Sequence, residues 1–155
     1  MRLDNMLCAV AAPLSALLLA GAAQARDCSG YDVLVNQISD TLEVAKGHSL
    51  TVTKDASIIT TKDPKDIYNL TTGACAGTFL TTPDGQTRGS GHCLRKDKDG
   101  DTESIEWALA PGSGKGTWRS AGGTGKFAGA NDSGWWQTAV ADGKMVVTTW
   151  GGTCK

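Results

Sequence analysis

The stretch Thr82-Pro83-Asp84-Gly85-Gln86 constrains this chain more than any other, because it dictates a strand register. Proline at the second turn position and glycine where a left-handed residue is needed mark a three-residue hairpin loop with a bulge. Thr82 then pairs with Gln86, and following the ladder away from the turn sets Cys75 directly opposite Cys93. Facing positions on antiparallel strands can be bridged by a disulfide. A covalently stapled β-hairpin is therefore expected.

Such a bridge needs an oxidising compartment, and the start of the chain supplies the route to one. From Met6 to Ala23 nearly every residue is Ala, Leu, Val or another small residue, Arg2 precedes the run, and Ala23-Gln24-Ala25 has the small-x-small form of a signal peptidase site. Pro13 and Ser15 break the run, which is too short for a membrane anchor. Neither Cys8 nor Cys28 follows a lipoprotein-type box, and Asp4 is unusual for a signal. The expectation is a secretory signal over 1–25 and one domain over 26–155, periplasmic or secreted, with no membrane span. Losing Arg2 and Asp4 leaves the net charge at −1, so neither nucleic acid nor an anionic membrane surface is an expected partner.

The mature chain keeps Cys28, Cys75, Cys93 and Cys154. There is no CxxC pair, and His48 and His92 are not at ligand spacing, so two disulfides are favoured over zinc. With Cys75 opposite Cys93, Cys28 is left to join Cys154 across the two ends of the domain. That bridge fits a closed barrel, whose first and last strands are neighbours.

Between Asp27 and Lys46 the pattern is mixed. Tyr31, Leu34, Val35, Ile38 and Leu42 fall at helical spacing, while Val33-Leu34-Val35 and Leu42-Glu43-Val44 also suit a strand. A short irregular or helical lead-in followed by a strand is expected there. Leu50 and Val52 alternate with threonines, Lys54-Asp55 reads as a turn, and Ile58–Thr61 is strongly β-forming. Asp63–Asp66 reads as a loop and Ile67–Leu70 as a further short strand.

The second half reads as hairpins. Asp99-Gly100 is a strong two-residue turn signal, and its register sets Leu94 against Ile105 and His92 against Trp107. A three-residue loop would instead oppose His92 to Glu106 and Leu94 to Ser104, mixing apolar and polar faces, so the first is preferred. It gathers Thr78, Leu80, Ser90, His92, Leu94, Ile105, Trp107 and Leu109 on the interior face, with Phe79 on the other. Asp142-Gly143 likewise pairs Trp136 with Thr149, Thr138 with Val147 and Val140 with Met145. That register points Trp136 inward with Val140, Met145 and Val147, and leaves Trp135 and Trp150 as an aromatic pair outside.

The punctuation of this meander is Gly122–Ala130, GGTGKFAGA, preceded by Trp118 and followed by Ser133-Gly134-Trp135-Trp136. It resembles the corner of the allene oxide cyclase and dirigent type of small β-barrel. The ending Trp150-Gly151-Gly152-Thr153-Cys154 is similar to that of a group of uncharacterised exported proteobacterial proteins. The resemblance implies an eight-stranded antiparallel barrel with an internal cavity, used in that wider group for isomerisation, cyclisation and ligand orientation. No catalytic residue of those families maps onto this chain.

Other motifs are weak. Gly125-Lys126 and Gly114-Lys115 lack the Ser/Thr and leading Gly of a phosphate loop. Asp97, Asp99 and Asp101, with Glu103 and Glu106, form a weak calcium-loop candidate opposed by Arg95 at the first ligand position. No cofactor is expected. The interior reading makes Thr78, Ser90, His92, Trp107 and Trp136 the candidate ligand-binding residues, with His92 the candidate acid or base. Three functions follow: a barrel binding a small, largely apolar ligand, preferred; an isomerase or cyclase in the same cavity; or an envelope interaction protein using Trp135 and Trp150.

Overall fold

A computed structural model describes residues 25–154, so the predicted signal lies outside the described residues except for Ala25. Eight strands, β1 (Arg26–Ala45), β2 (His48–Thr61), β3 (Thr72–Thr81), β4 (Thr87–Lys96), β5 (Thr102–Leu109), β6 (Gly116–Gly123), β7 (Ser133–Asp142) and β8 (Met145–Cys154), form an antiparallel barrel. Each strand pairs with the next, and β8 pairs with β1 to close it. A single turn of 3₁₀-helix, Gly125–Phe127, interrupts the pattern. Among the described residues no helix is long and apolar enough to cross a membrane.

Both expected disulfides form. Cys75 faces Cys93 in the β3–β4 register set by the Thr82 turn, whose Thr82 N–H donates to the Gln86 carbonyl. Cys28 and Cys154 are bridged where β1 meets β8. The second bridge closes a loop with a sequence separation of 126, which restricts the unfolded chain by about 4–5 kcal/mol in the loop-entropy account.

The expected helical or irregular lead-in is instead part of β1, and no turn forms at Lys54-Asp55, which lies within β2. The helical spacing of Leu34, Ile38 and Leu42 arises because the register shifts between Asn36 and Ile38, a bulge that breaks strict alternation. Ile67–Leu70 is a series of turns rather than a strand, because side chains capture its backbone. The Asp66 carboxylate accepts from the Tyr68 N–H, the Thr71 hydroxyl donates to the Tyr68 carbonyl, and Leu70 takes a left-handed φ of 61°.

Two further registers differ from expectation. The β4–β5 loop copies the β3–β4 loop: Asp97 N–H donates to the Asp101 carbonyl and Gly100 N–H to the Asp97 carbonyl. Asp97 Oδ1 also accepts from the Asp99 and Asp101 N–H groups, which favours the longer loop. Cys93 thus faces Ile105, His92 faces Glu106 and Leu94 faces Ser104. At the last hairpin the turn is Gly143-Lys144, and a shift between Thr138 and Val140 brings Trp136 opposite Trp150 and Trp135 opposite Gly151. The one-residue slip between β4 and β5 exchanges their relative faces, and the bulge between Thr138 and Val140 puts Val140 on the face opposite Trp136. Val140 and Met145, expected inside, are exposed on the outer face, and Val147, which faces Val140, shares it.

One end of the barrel is sealed. Tyr68 from the β2–β3 loop and Phe127 from the 3₁₀ turn pack with Ile59, Trp150 and the Cys28–Cys154 bridge. The Tyr68 hydroxyl donates to the Asp132 carboxylate. Lys126, beside Phe127, explains the acidic tip of the β4–β5 loop: its ammonium lies 2.5 Å from Asp97 and 2.7 Å from Asp99, and its N–H donates to Asp101. The Lys126 ammonium hydrogen-bonded to Asp99, with Lys98 adding to it, holds the Asp99 carboxyl down at about 2, and Asp97 is lowered mainly by the same lysine. Acids held below their ordinary value stabilise the fold above that value and lose the contribution as pH falls through the native titration. Lys126→Met should therefore lower the unfolding temperature at pH 7, with the gap from wild type narrowing between pH 4 and pH 2; thermal unfolding across pH measures it.

Candidate functional site

The space inside the barrel exists because glycines face large rings. An added Cβ at Gly77 or Gly91 would stand 2.2 or 2.5 Å from Trp107, one at Gly89 2.5 Å from Phe79, and one at Gly116 2.1 Å from the Trp136 indole. The three rings therefore lie flat against bare backbone instead of filling the lumen. Phe79 stacks on Trp107 at 5.3 Å between centroids, and Trp136 meets Trp107 edge-on at 6.0 Å. They line a cavity of about 650 Å³ together with Leu34, Leu109, Val146 and the Cys75–Cys93 bridge. Ser113, Gly114 and Gly143 contribute from the turns at the end opposite the Tyr68–Phe127 seal.

The sealed half of the cavity is polar. Arg95 on β4 reaches across to Asp32 on β1 at 2.9 Å, and Asp32 also accepts from the Ser57 hydroxyl at 2.7 Å. Asp55 accepts from Asn36 at 2.9 Å. Glu103, directly opposite Arg95 on the neighbouring strand, is only 1% exposed, and neither carboxylate oxygen has a hydrogen-bond partner. Burial pushes its titration up, countered in part by the nearby Arg95 charge and the Ser120 hydroxyl. The buried Nε1 of Trp118, Nε1 of Trp150 and Nε of Arg95 also have no partner. Trp118 and Trp150 meet edge-on at 6.0 Å.

Trp107 and Trp136 stand on this cavity, as the sequence reading places them; Thr78, Ser90 and His92 do not. The longer β4–β5 loop turns those three outward, where they are exposed along a shallow groove with Glu106 and Arg119. Leu94, expected inside, is 60% exposed, whereas Phe79, expected outside, lines the cavity. Trp150 is buried inside rather than paired with Trp135, whose exposed ring is covered by the Lys115 ammonium at 4.6 Å. Glu103, read only as part of the weak calcium-loop candidate, and Arg95, read as opposing it, were not among the interior ligand-binding candidates. Their signal was the likeness of Asp97-Lys98-Asp99-Gly100-Asp101 to Thr82-Pro83-Asp84-Gly85-Gln86, which sets the register that turns both inward. The Asp97 and Asp99 carboxylates of the calcium candidate bind the Lys126 ammonium, and among the described residues no group of three or more His, Cys, Asp or Glu is arranged to hold a metal ion.

The pterocarpan synthase dirigent protein GePTS1 superposes with a TM-score of 0.53 at 13% identity, covering 84% of this chain and 87% of that one. The fold is that of a dirigent-type small β-barrel. A second dirigent protein, the pterocarpan synthase PsPTS1, gives 0.51 at 13% identity over 85% of this chain and 95% of its own. No family model and no curated protein sequence matches the chain. At this identity what is shared with the dirigent proteins is the barrel, and the site chemistry has to be argued from the residues of this chain.

Glu103 gives that chemistry a measurable signature. A carboxyl with a raised native titration binds its proton more readily in the folded state, so stability rises as pH falls from neutral and levels off below the ordinary value of 4.5. Glu103→Gln should unfold a few degrees higher than wild type at pH 7, and the advantage should fade as pH approaches 4, as read by calorimetry.

Proposed function

We propose that the protein is an exported, non-catalytic barrel that holds a small, largely apolar ligand in its interior. The observation that carries this reading is the aromatic wall of Phe79, Trp107 and Trp136 laid against glycine backbone, which keeps a cavity of about 650 Å³ in a barrel small enough for side chains to fill. Flat rings offer apolar area at little entropic cost, which suits a binding wall. Two disulfides are compatible with the secretory signal read in residues 1–25. An isomerase or cyclase in the same cavity would draw its acid or base from Glu103, since His92 is on the outer face.

The test is titration with the neutral fluorophore N-phenyl-1-naphthylamine. Saturable binding with quenching of tryptophan emission is expected. Trp107→Ala should weaken it by roughly 10–100-fold, corresponding to about 1–3 kcal/mol of lost ring contact, while Trp135→Ala on the outer face should leave it unchanged. Absence of saturable binding, or equal loss in both variants, would overturn the reading.

A further inference from the structure

The sealed half of the cavity carries a charge imbalance that the fold itself does not resolve. Among the described residues, the charged side chains lining it are Asp32, Asp55 and Glu103, with Arg95 the one cation. Arg95 is committed to Asp32 at 2.9 Å, and Asp55 takes its hydrogen bond from Asn36. Glu103 is left as a buried acid whose carboxylate oxygens meet no donor at hydrogen-bond distance; the Arg95 charge and the Ser120 hydroxyl offset its burial only in part, and it is turned into the cavity. Asp32, Arg95 and Glu103 together become electrically neutral on gaining one positive charge. A buried carboxylate is tolerated only when neutralised by a proton or by a cation brought beside it.

The surroundings favour the second as the occupied state. The Trp118 and Trp150 rings lie over the same half of the cavity, and the electron-rich faces of indoles attract an organic cation when water is excluded. Resting on the ligand-cavity reading above, we propose that the ligand is a protonated amine whose ammonium lies beside the Glu103 carboxylate and whose apolar body lies against Trp107, Trp136 and Phe79. The unpartnered N–H groups of Trp118 and Trp150 are then free to receive an acceptor atom elsewhere on the same ligand.

Three probes that share the indole ring isolate the charge: tryptamine, the neutral alcohol tryptophol, and the anion indole-3-propionate. Calorimetric or fluorescence titration of the oxidised protein at pH 7 should give tryptamine at least 10-fold tighter than tryptophol, with the propionate weakest. Glu103→Gln should erase the tryptamine preference while leaving tryptophol affinity within about twofold. Glu103→Asp, which keeps the charge, should retain a preference for the cation and guards against a folding artefact in the amide variant. Equal or tighter binding of tryptophol or the propionate, or a cation preference that survives in Glu103→Gln, would overturn the proposal. If the naphthylamine fluorophore binds but none of the three indoles does, the amine proposal fails and the cavity reading stands. If the fluorophore fails as well, both fall.

Discussion

Everything inside this barrel depends on the pairing of β1 with β8. An open sheet would leave two unpaired edges and a solvent-flooded inner face; ten consecutive residue pairs from Arg26–Cys154 to Val35–Met145 remove both. The Cys28–Cys154 bridge sits at that seam and ties together segments that lie far apart in sequence. Only after closure are Asp32 and Arg95, from strands on different parts of the sheet, brought within ion-pairing distance across the interior.

Within the closed wall, size is traded between neighbours. Large rings on β5 and β7 are accommodated by glycines on β3, β4 and β6, so the aromatic surface is spread thinly over the wall. Below it the packing changes character: Phe127 and Ile59 are almost completely buried and Tyr68 plugs the floor. The GGTGKFAGA corner serves this floor on two sides, sending Phe127 inward and anchoring Lys126 on the acidic tip of the neighbouring β4–β5 loop. Glu103 stands between the two regimes and is costly to bury.

How much was legible in the sequence turned on single loops. Pro83 removed the ambiguity of the first turn, and from it came the β3–β4 register and the first disulfide. The second turn lacked a proline, and Asp99-Gly100 suited two loop lengths; the wrong one shifts β5 by a residue. That slip put His92 beside Trp107 and hid Arg95 and Phe79 on the outside. The inward face was nonetheless marked: Gly73, Gly77, Gly89 and Gly91 alternate in phase with Cys75 and Cys93, as expected where rings from neighbouring strands need room. β1 was obscured for another reason, since a bulged strand displaces its apolar residues into a spacing that resembles a helix. Which side chains meet across the lumen depends on closure and could not be read from local pattern.

An even number of strands has a spatial corollary. β1 begins and β8 ends side by side, with Arg26 paired to Cys154 at the sealed end. The turns β1–β2, β3–β4, β5–β6 and β7–β8 all lie at the other end, which is the mouth. Both ends of the described barrel therefore lie on the floor side. A tether, a fused domain or a surface to which the barrel was attached by its ends would hold it like a cup by its base, with the opening facing away and free to load.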